Sequence, residues 1–160
     1  MFQRNVAGGK LNEGKIYREL GDSDSALRLA SEALKIQQDI AAKDANNQEI
    51  KLDLKESFED IAFAYLKAGN LNLAGINFGK AVELNEQLLK RDPENFDFWQ
   101  ARLKGEQTWA DALCEAGEKA KAKVVYAKAV TLPEDKAPKK FAQFVEKFKA
   151  EIKESVANCR

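Results

Sequence analysis

An all-α fold of stacked helix pairs is what this 160-residue chain predicts, and three observations predict it. The first is a repeat. Gly21, Gly69 and Gly117 stand 48 residues apart, with Ala26, Ala74 and Ala122 five positions on, Ala33, Ala81 and Ala129 twelve on, and Leu34, Val82 and Val130 next to those. The turn Asp44-Ala45-Asn46-Asn47 returns at the same interval as Asp92-Pro93-Glu94-Asn95. The second observation is helical periodicity, clearest where Leu54, Phe58, Ile61, Ala62, Tyr65 and Ala68 form one apolar stripe. The third is the lack of any sustained two-residue alternation, with proline only at positions 93, 133 and 138. Fixed self-similarity at this length means units that cover one another's apolar faces.

The first repeat, about 2–47, has a helix ending at Gly21 and a second carrying Ala26 and Ala33. In the second repeat, about 48–95, the Leu54 to Ala68 stripe ends at Gly69-Asn70, where glycine can take the left-handed conformation and Asn70 or Asn72 can cap the next helix. That next helix runs through Ala74, Phe78, Ala81, Val82, Leu88 and Leu89 until Asp92-Pro93 stops it. The third repeat, about 96–133, carries Trp109, Ala110 and Leu113, then Ala122, Tyr126 and Ala129, with Leu132-Pro133 as the expected stop. Pro138 is placed to open a capping helix, about 138–158, apolar on one side only through Phe141, Phe144, Val145, Phe148, Ile152 and Val156. The whole, 1–160, reads as one domain. Counting 48 back from Ile50 reaches Phe2, so the chain starts at a repeat boundary and is expected to be a segment of a longer protein with Met1 added.

Composition removes several functions. Hydrophobic residues make up 44% and charged residues 32%, enough for a core and a wettable surface. Lys plus Arg equals Asp plus Glu at 26 each, which gives no push toward nucleic acid or anionic membrane. Neither a membrane-length apolar run nor a signal peptide is present, so a soluble protein is expected. Cys114 and Cys159, 45 residues apart, have no metal-ligand spacing, and with no glycosylation sequon they point to a reducing compartment, cytoplasmic rather than secreted. Cys114 reads as a small packing residue rather than a reactive thiol. Histidine is absent, which removes Ser-His and Cys-His nucleophile pairs. Gly8-Gly9-Lys10 fails as a phosphate loop, because Arg4 stands where the upstream glycine belongs and Leu11 where Ser or Thr would hold magnesium. Glu59-Asp60 is an ordinary helix-surface pair. No catalysis, no cofactor and no metal are expected. Lys119, Lys121, Lys123, Lys128, Lys136, Lys139 and Lys140 outnumber Glu134 and Asp135, but with no arginine and little interleaved aromatic surface they read as a solvated face.

The motif Phe58-x2-Ile61-Ala62-x2-Tyr65, then Gly69, Ala74-x3-Phe78 and Ala81, resembles the tetratricopeptide pattern. The third repeat conforms to it. The first keeps Gly14, Tyr17, Gly21, Ala26 and Ala33 but has Glu13 and Ala30 where large apolar residues belong. The resemblance covers Lys10 to about Leu132. Each helix gains seven residues over the family's usual 34-residue unit, about two turns, so the buried stripe keeps its facing. Lengthened repeats of this kind resemble those of kinesin light chains and of bacterial multidomain signalling proteins, including some protein kinases.

The resemblance implies a right-handed α-solenoid of three lengthened helix-turn-helix repeats plus a C-terminal capping helix. It also implies a noncatalytic scaffold that binds a protein or peptide partner in a concave groove. That groove would contain Lys15, Arg18, Glu56, Glu59, Phe63, Leu66, Lys104, Gln107, Asp111 and Cys114. Phe63 and Leu66 lie off the buried stripe and either pack between inner helices or stand exposed as anchors. The clamp by which family members hold chaperone C-terminal tails maps to Leu11, Lys15, Asp60, Lys104 and Thr108, and only Lys104 agrees, so such tails are disfavoured. The alternative is a structural or self-association module, docking through its N-terminal repeat on neighbouring repeats or on a second copy.

Overall fold

The computed structural model describes residues 2–44 and 46–159, the side chains of 132–136 excepted. Its described residues form α1 (Phe2–Glu19), α2 (Ser23–Ala41), α3 (Gln48–Lys67), α4 (Leu71–Arg91), α5 (Phe96–Glu115), α6 (Lys119–Lys136), a 3-10 turn (Lys139–Phe141) and α7 (Ala142–Asn158). This is an all-α helical repeat. No described helix is long and apolar enough to cross a membrane.

The recurrent glycines have one shared task. Gly21, Gly69 and Gly117 take φ of 85°, 75° and 81°, a region closed to most side chains. At each, the glycine N–H donates to the carbonyl three residues back, and the next N–H donates five back, to Tyr17, Tyr65 and Leu113 respectively. That is the paired-bond motif by which a helix ends and its chain reverses. The next helix then starts on a side-chain cap: Asp22 accepts from the Ser25 N–H at 3.0 Å, and Asn70 from that of Leu73 at 3.1 Å. Asn47 and Asn95, related by the 48-residue interval, cap α3 and α5 in the same way. Ala45, within the first of the two matching turns, lies outside the described residues.

The chain forms two compact units, Met1–Asn85 and Glu86–Arg160. In the first, α1 packs on α2 and both touch α3. Ala7, Leu11, Ala30, Ala33 and Ile61 make its core, flanked by Leu27, Leu34, Ile36 and Tyr65. Small residues let α1 and α2 approach closely: a Cβ on Gly14 would sit 3.4 Å from both the Ala26 oxygen and the Leu29 Cβ. In the second unit α5, α6 and α7 enclose Leu103, Leu113, Tyr126, Phe148 and Ile152. The α7 stripe is thus turned inward, with Phe144 and Val156 at the edge of the same cluster. Phe96 also meets Phe141 and Phe144 at ring separations of 5.3 and 4.8 Å.

Three expectations from the sequence are corrected by the structure. Helix α6 does not stop at Leu132-Pro133 but runs to Lys136. Proline fixes φ near the helical value and removes the N–H bond to the carbonyl four residues back, which disfavours a helix continuing past it but does not forbid it. The side chains of Leu132, Pro133, Glu134, Asp135 and Lys136 lie outside the described residues. Pro138 precedes a 3-10 turn rather than opening α7 itself. Finally, Cys114 is not a free packing residue. It is disulfide-bonded to Cys159, so the reducing compartment inferred from unpaired cysteines loses its basis.

Candidate functional site

In the first unit α1 presents Arg4, Lys15 and Arg18 toward α3, which answers with Glu49, Asp53, Glu56 and Asp60 at spacings of four, three and four. Those intervals keep all four carboxylates on one face of a helix. Arg4 grips Asp53 with two bonds, Nε to Oδ2 at 2.5 Å and Nη2 to Oδ1 at 3.1 Å, and also pairs with Glu49. Further along the helix, Lys15 donates to Glu56 at 2.5 Å and lies 3.6 Å from Asp60, which also accepts from Arg18 at 2.8 Å. Arg18 then lies over the Phe63 ring, 5.0 Å from its centre, while Phe63 also meets Phe78 edge-to-face at 5.1 Å.

Burial and pairing pull against each other along this seam. Burial raises the Asp60 carboxyl above its usual range, although Lys15 and Arg18 oppose the shift. For Lys15, burial is the largest single influence and lowers its basicity, but Glu56 and Asp60 together reverse it, leaving the ammonium held more firmly charged. The Arg4 guanidinium is likewise strengthened, chiefly by Asp53. With Lys15 and Arg18 both in contact, Asp60 is part of a structural ion-pair cluster.

Between the two ion-pair groups lies a cleft of about 520 Å³, lined by Asn5, Gly8, Gly9 and Asn12 on α1 and by Asp53 and Glu56 on α3. A Cβ built on Gly8 or Gly9 would meet nothing within 4 Å. These two glycines therefore leave helix backbone bare toward open space, with no close packing to require it. Asn5 and Asn12 make no side-chain hydrogen bond among the described residues, so each amide offers a donor and an acceptor to the cleft. Gln37, at the back, is almost fully buried and accepts from the Ser57 hydroxyl at 2.6 Å.

Of the residues expected in a groove, the structure brings together Lys15, Arg18, Glu56 and Phe63. Phe63 is half-buried between Arg18 and Phe78, and so is a packed ring. Leu66 is half-buried on the last turn of α3. Glu59 turns away to Lys55 on its own helix, at 2.8 Å. Lys104, Gln107 and Asp111 belong to α5 in the second unit. There Lys104 is exposed, Gln107 is half-buried, and Asp111 accepts a hydrogen bond from the Tyr126 hydroxyl. Burial, followed by that carboxylate, pushes the Tyr126 phenol well above its ordinary value. In the same unit Arg102, wholly buried, pairs with Glu106 at 2.5 Å and with Glu86 at 3.2 Å.

Arg4, Asn5, Gly8, Gly9, Asn12 and Asp53 line the cleft, and the sequence motif does not point to them. One signal is available in the sequence: Arg4, Gly8, Asn12 and Lys15 succeed one another at helical spacing, so the face of Lys15 continues upstream. No curated protein matches the chain. Residues 8–40 match a family model described as a tetratricopeptide repeat, a class of helix pair that generally mediates protein–protein interaction. The match covers most of α1 and nearly all of α2, the pair whose residues keep the motif least closely. The first helix pair of this chain is thus similar to the tetratricopeptide repeat family.

Proposed function

We propose that this protein is a noncatalytic interaction module and that a partner segment lies in the α1–α3 cleft of its first unit. The observation that carries the reading is the Gly8-Gly9 pair inside a helix. Each glycine there costs about 0.5–1 kcal/mol relative to alanine, and of the three glycines within α1 only Gly14 meets a packing neighbour. A bare stretch of helix, flanked by asparagine amides that make no side-chain hydrogen bond among the described residues, lets a peptide main chain approach closely and hydrogen-bond to those amides. The ion pairs at either end hold the two helices at a fixed separation, so the cleft needs little reorganisation on binding.

The experiment selects peptides from a displayed library on the unaltered protein and measures their affinity for G8A/G9A. That variant should melt at a higher temperature yet bind the selected peptides at least tenfold more weakly. Peptides that bind both proteins equally would place the working surface elsewhere.

A second reading, self-association, has its own observation. Phe2, Val6, Ile16 and Leu20 are 81%, 37%, 58% and 76% exposed, and their spacing sets them on one stripe that runs along α1 to the residue just past its end. Sedimentation of the protein and of Ile16→Glu decides it: a mass above the monomer, lost in the variant, favours self-association over the cleft.

A further inference from the structure

The second unit holds a groove that the proposed function leaves unused. It lies between α6 and α7, has a volume of about 480 Å³, and is walled by Tyr126, Ala127 and Val130 from α6 and by Ile152 and Val156 from α7. Among the described residues its charged lining groups are Lys123, Lys149 and Lys153, with no carboxylate beside them. Lys149 pairs with Glu146 at 2.9 Å, whereas Lys123 and Lys153 are exposed and make no ion pair among the described residues. Val124, next to Lys123, is 71% exposed. An apolar trough whose described rim charges are cationic is an unfinished surface, since its apolar floor gains by being covered and its rim by meeting negative charge.

Dimensions narrow the occupant. On α6 the wall runs from Lys123 to Thr131, a span of eight residue steps or about 12 Å of helix, a little over two turns. That length seats three side chains of a second helix at i, i+3 or i+4, and i+7. A second copy of this chain is a poor fit. The helix with an exposed apolar stripe is α1, and it carries Arg4, Lys10, Lys15 and Arg18 against Glu13 and Glu19, so its charge matches that of the rim.

The geometry points to a docking site for a short amphipathic helix of another protein, with an apolar stripe bordered by Asp or Glu. The apolar stripe fills the trough between α6 and α7. The acidic border meets Lys123 and Lys153, and this gives the lysine-rich stretch of α6 a task other than nucleic acid. Cys159, joined to Cys114 of α5, fixes the end of the helix that forms the far wall.

The test uses two synthetic helical peptides of about 14 residues, roughly 21 Å long, with one leucine stripe and either glutamate or lysine on its borders. The glutamate peptide should bind the intact, oxidised protein at least tenfold more tightly than the lysine peptide. Lys123→Glu with Lys153→Glu should invert that preference, and both positions are exposed, so the fold should persist. Ala127→Arg, also at an exposed position, should fill the trough and abolish binding of the glutamate peptide with helicity unchanged. Failure of the glutamate peptide to bind, equal binding of the two peptides, or indifference to Ala127→Arg overturns the proposal. So does competition by single-stranded DNA or by dodecanoate at the same site, or a dimer of the protein alone that Ala127→Arg dissociates. Because G8A/G9A leaves α6 and α7 untouched, glutamate-peptide binding that survives in it separates this site from the α1–α3 cleft.

Discussion

Glu59 shows how one side chain can work against the fold that contains it. Its carboxylate is mostly covered by its neighbours, and Lys55 at 2.8 Å answers it only in part. Burial dominates and raises its proton affinity. A carboxyl whose folded pKa lies above its unfolded value binds protons more readily when folded, so its contribution to stability falls as pH rises through that window. Below about 4.3, the usual glutamate value, both states are protonated and the effect vanishes. Glu59→Gln should therefore raise the melting temperature at pH 7, with the gain shrinking toward pH 4. A loss of stability at pH 7, or a gain that does not vary with pH, would show that the Lys55 pair outweighs desolvation. Asp60 shifts in the same direction, but its neutralisation would strand Lys15 and Arg18 and would not be a clean test.

Among the elements, α7 has the most definite physical assignment. A helix that covers one side of a helical core presents one apolar face to the helices beneath it and a polar face to water. Phe148 and Ile152, each 2% exposed, go inward with Leu103, Leu113 and Tyr126, while Lys147 and Lys153 stay exposed. Phe144 is only partly buried, and Phe148 is the better probe of the cap. Phe148→Ala should cost about 3–5 kcal/mol by chemical denaturation, a large share of a small domain's stability. Phe144→Ala should cost less. Equal and small effects would mean that α7 does not close the core. The expected stop at Pro133 illustrates a limit at this scale: proline forbids one hydrogen bond, and whether a helix ends there depends on the residues beyond the ring.

At the scale of the whole molecule, much of the fold is legible in the sequence because repetition multiplies weak local signals. One glycine before a capping residue is an ordinary turn. Three at a constant interval, all with positive φ, mark three helix reversals. The candidate site is less legible, because it depends on which side chains from different helices meet. Lys15 and Arg18 are accounted for by Glu56 and Asp60, 41 and 42 residues away. Cys114 and Cys159 lie 45 apart in sequence yet are bonded. In sequence Gly8 and Gly9 suggest only a phosphate loop that fails, whereas their position on an open helix face needs the three-dimensional neighbours to be seen. The two units also differ in what holds them, which leads to a test on the intact chain. Ion pairs between α1 and α3, several of them partly exposed, weaken as salt screens them. A cross-link closing a loop of this length typically contributes about 2–4 kcal/mol, which a reductant removes. Hydrogen exchange read by mass spectrometry should show high salt lowering protection in α1 and α3, and reductant lowering it in α5, α6 and α7. The reverse assignment, or a reductant that loosens α1 and α3 as much as α7, would mean that these are not the interactions on which each unit depends.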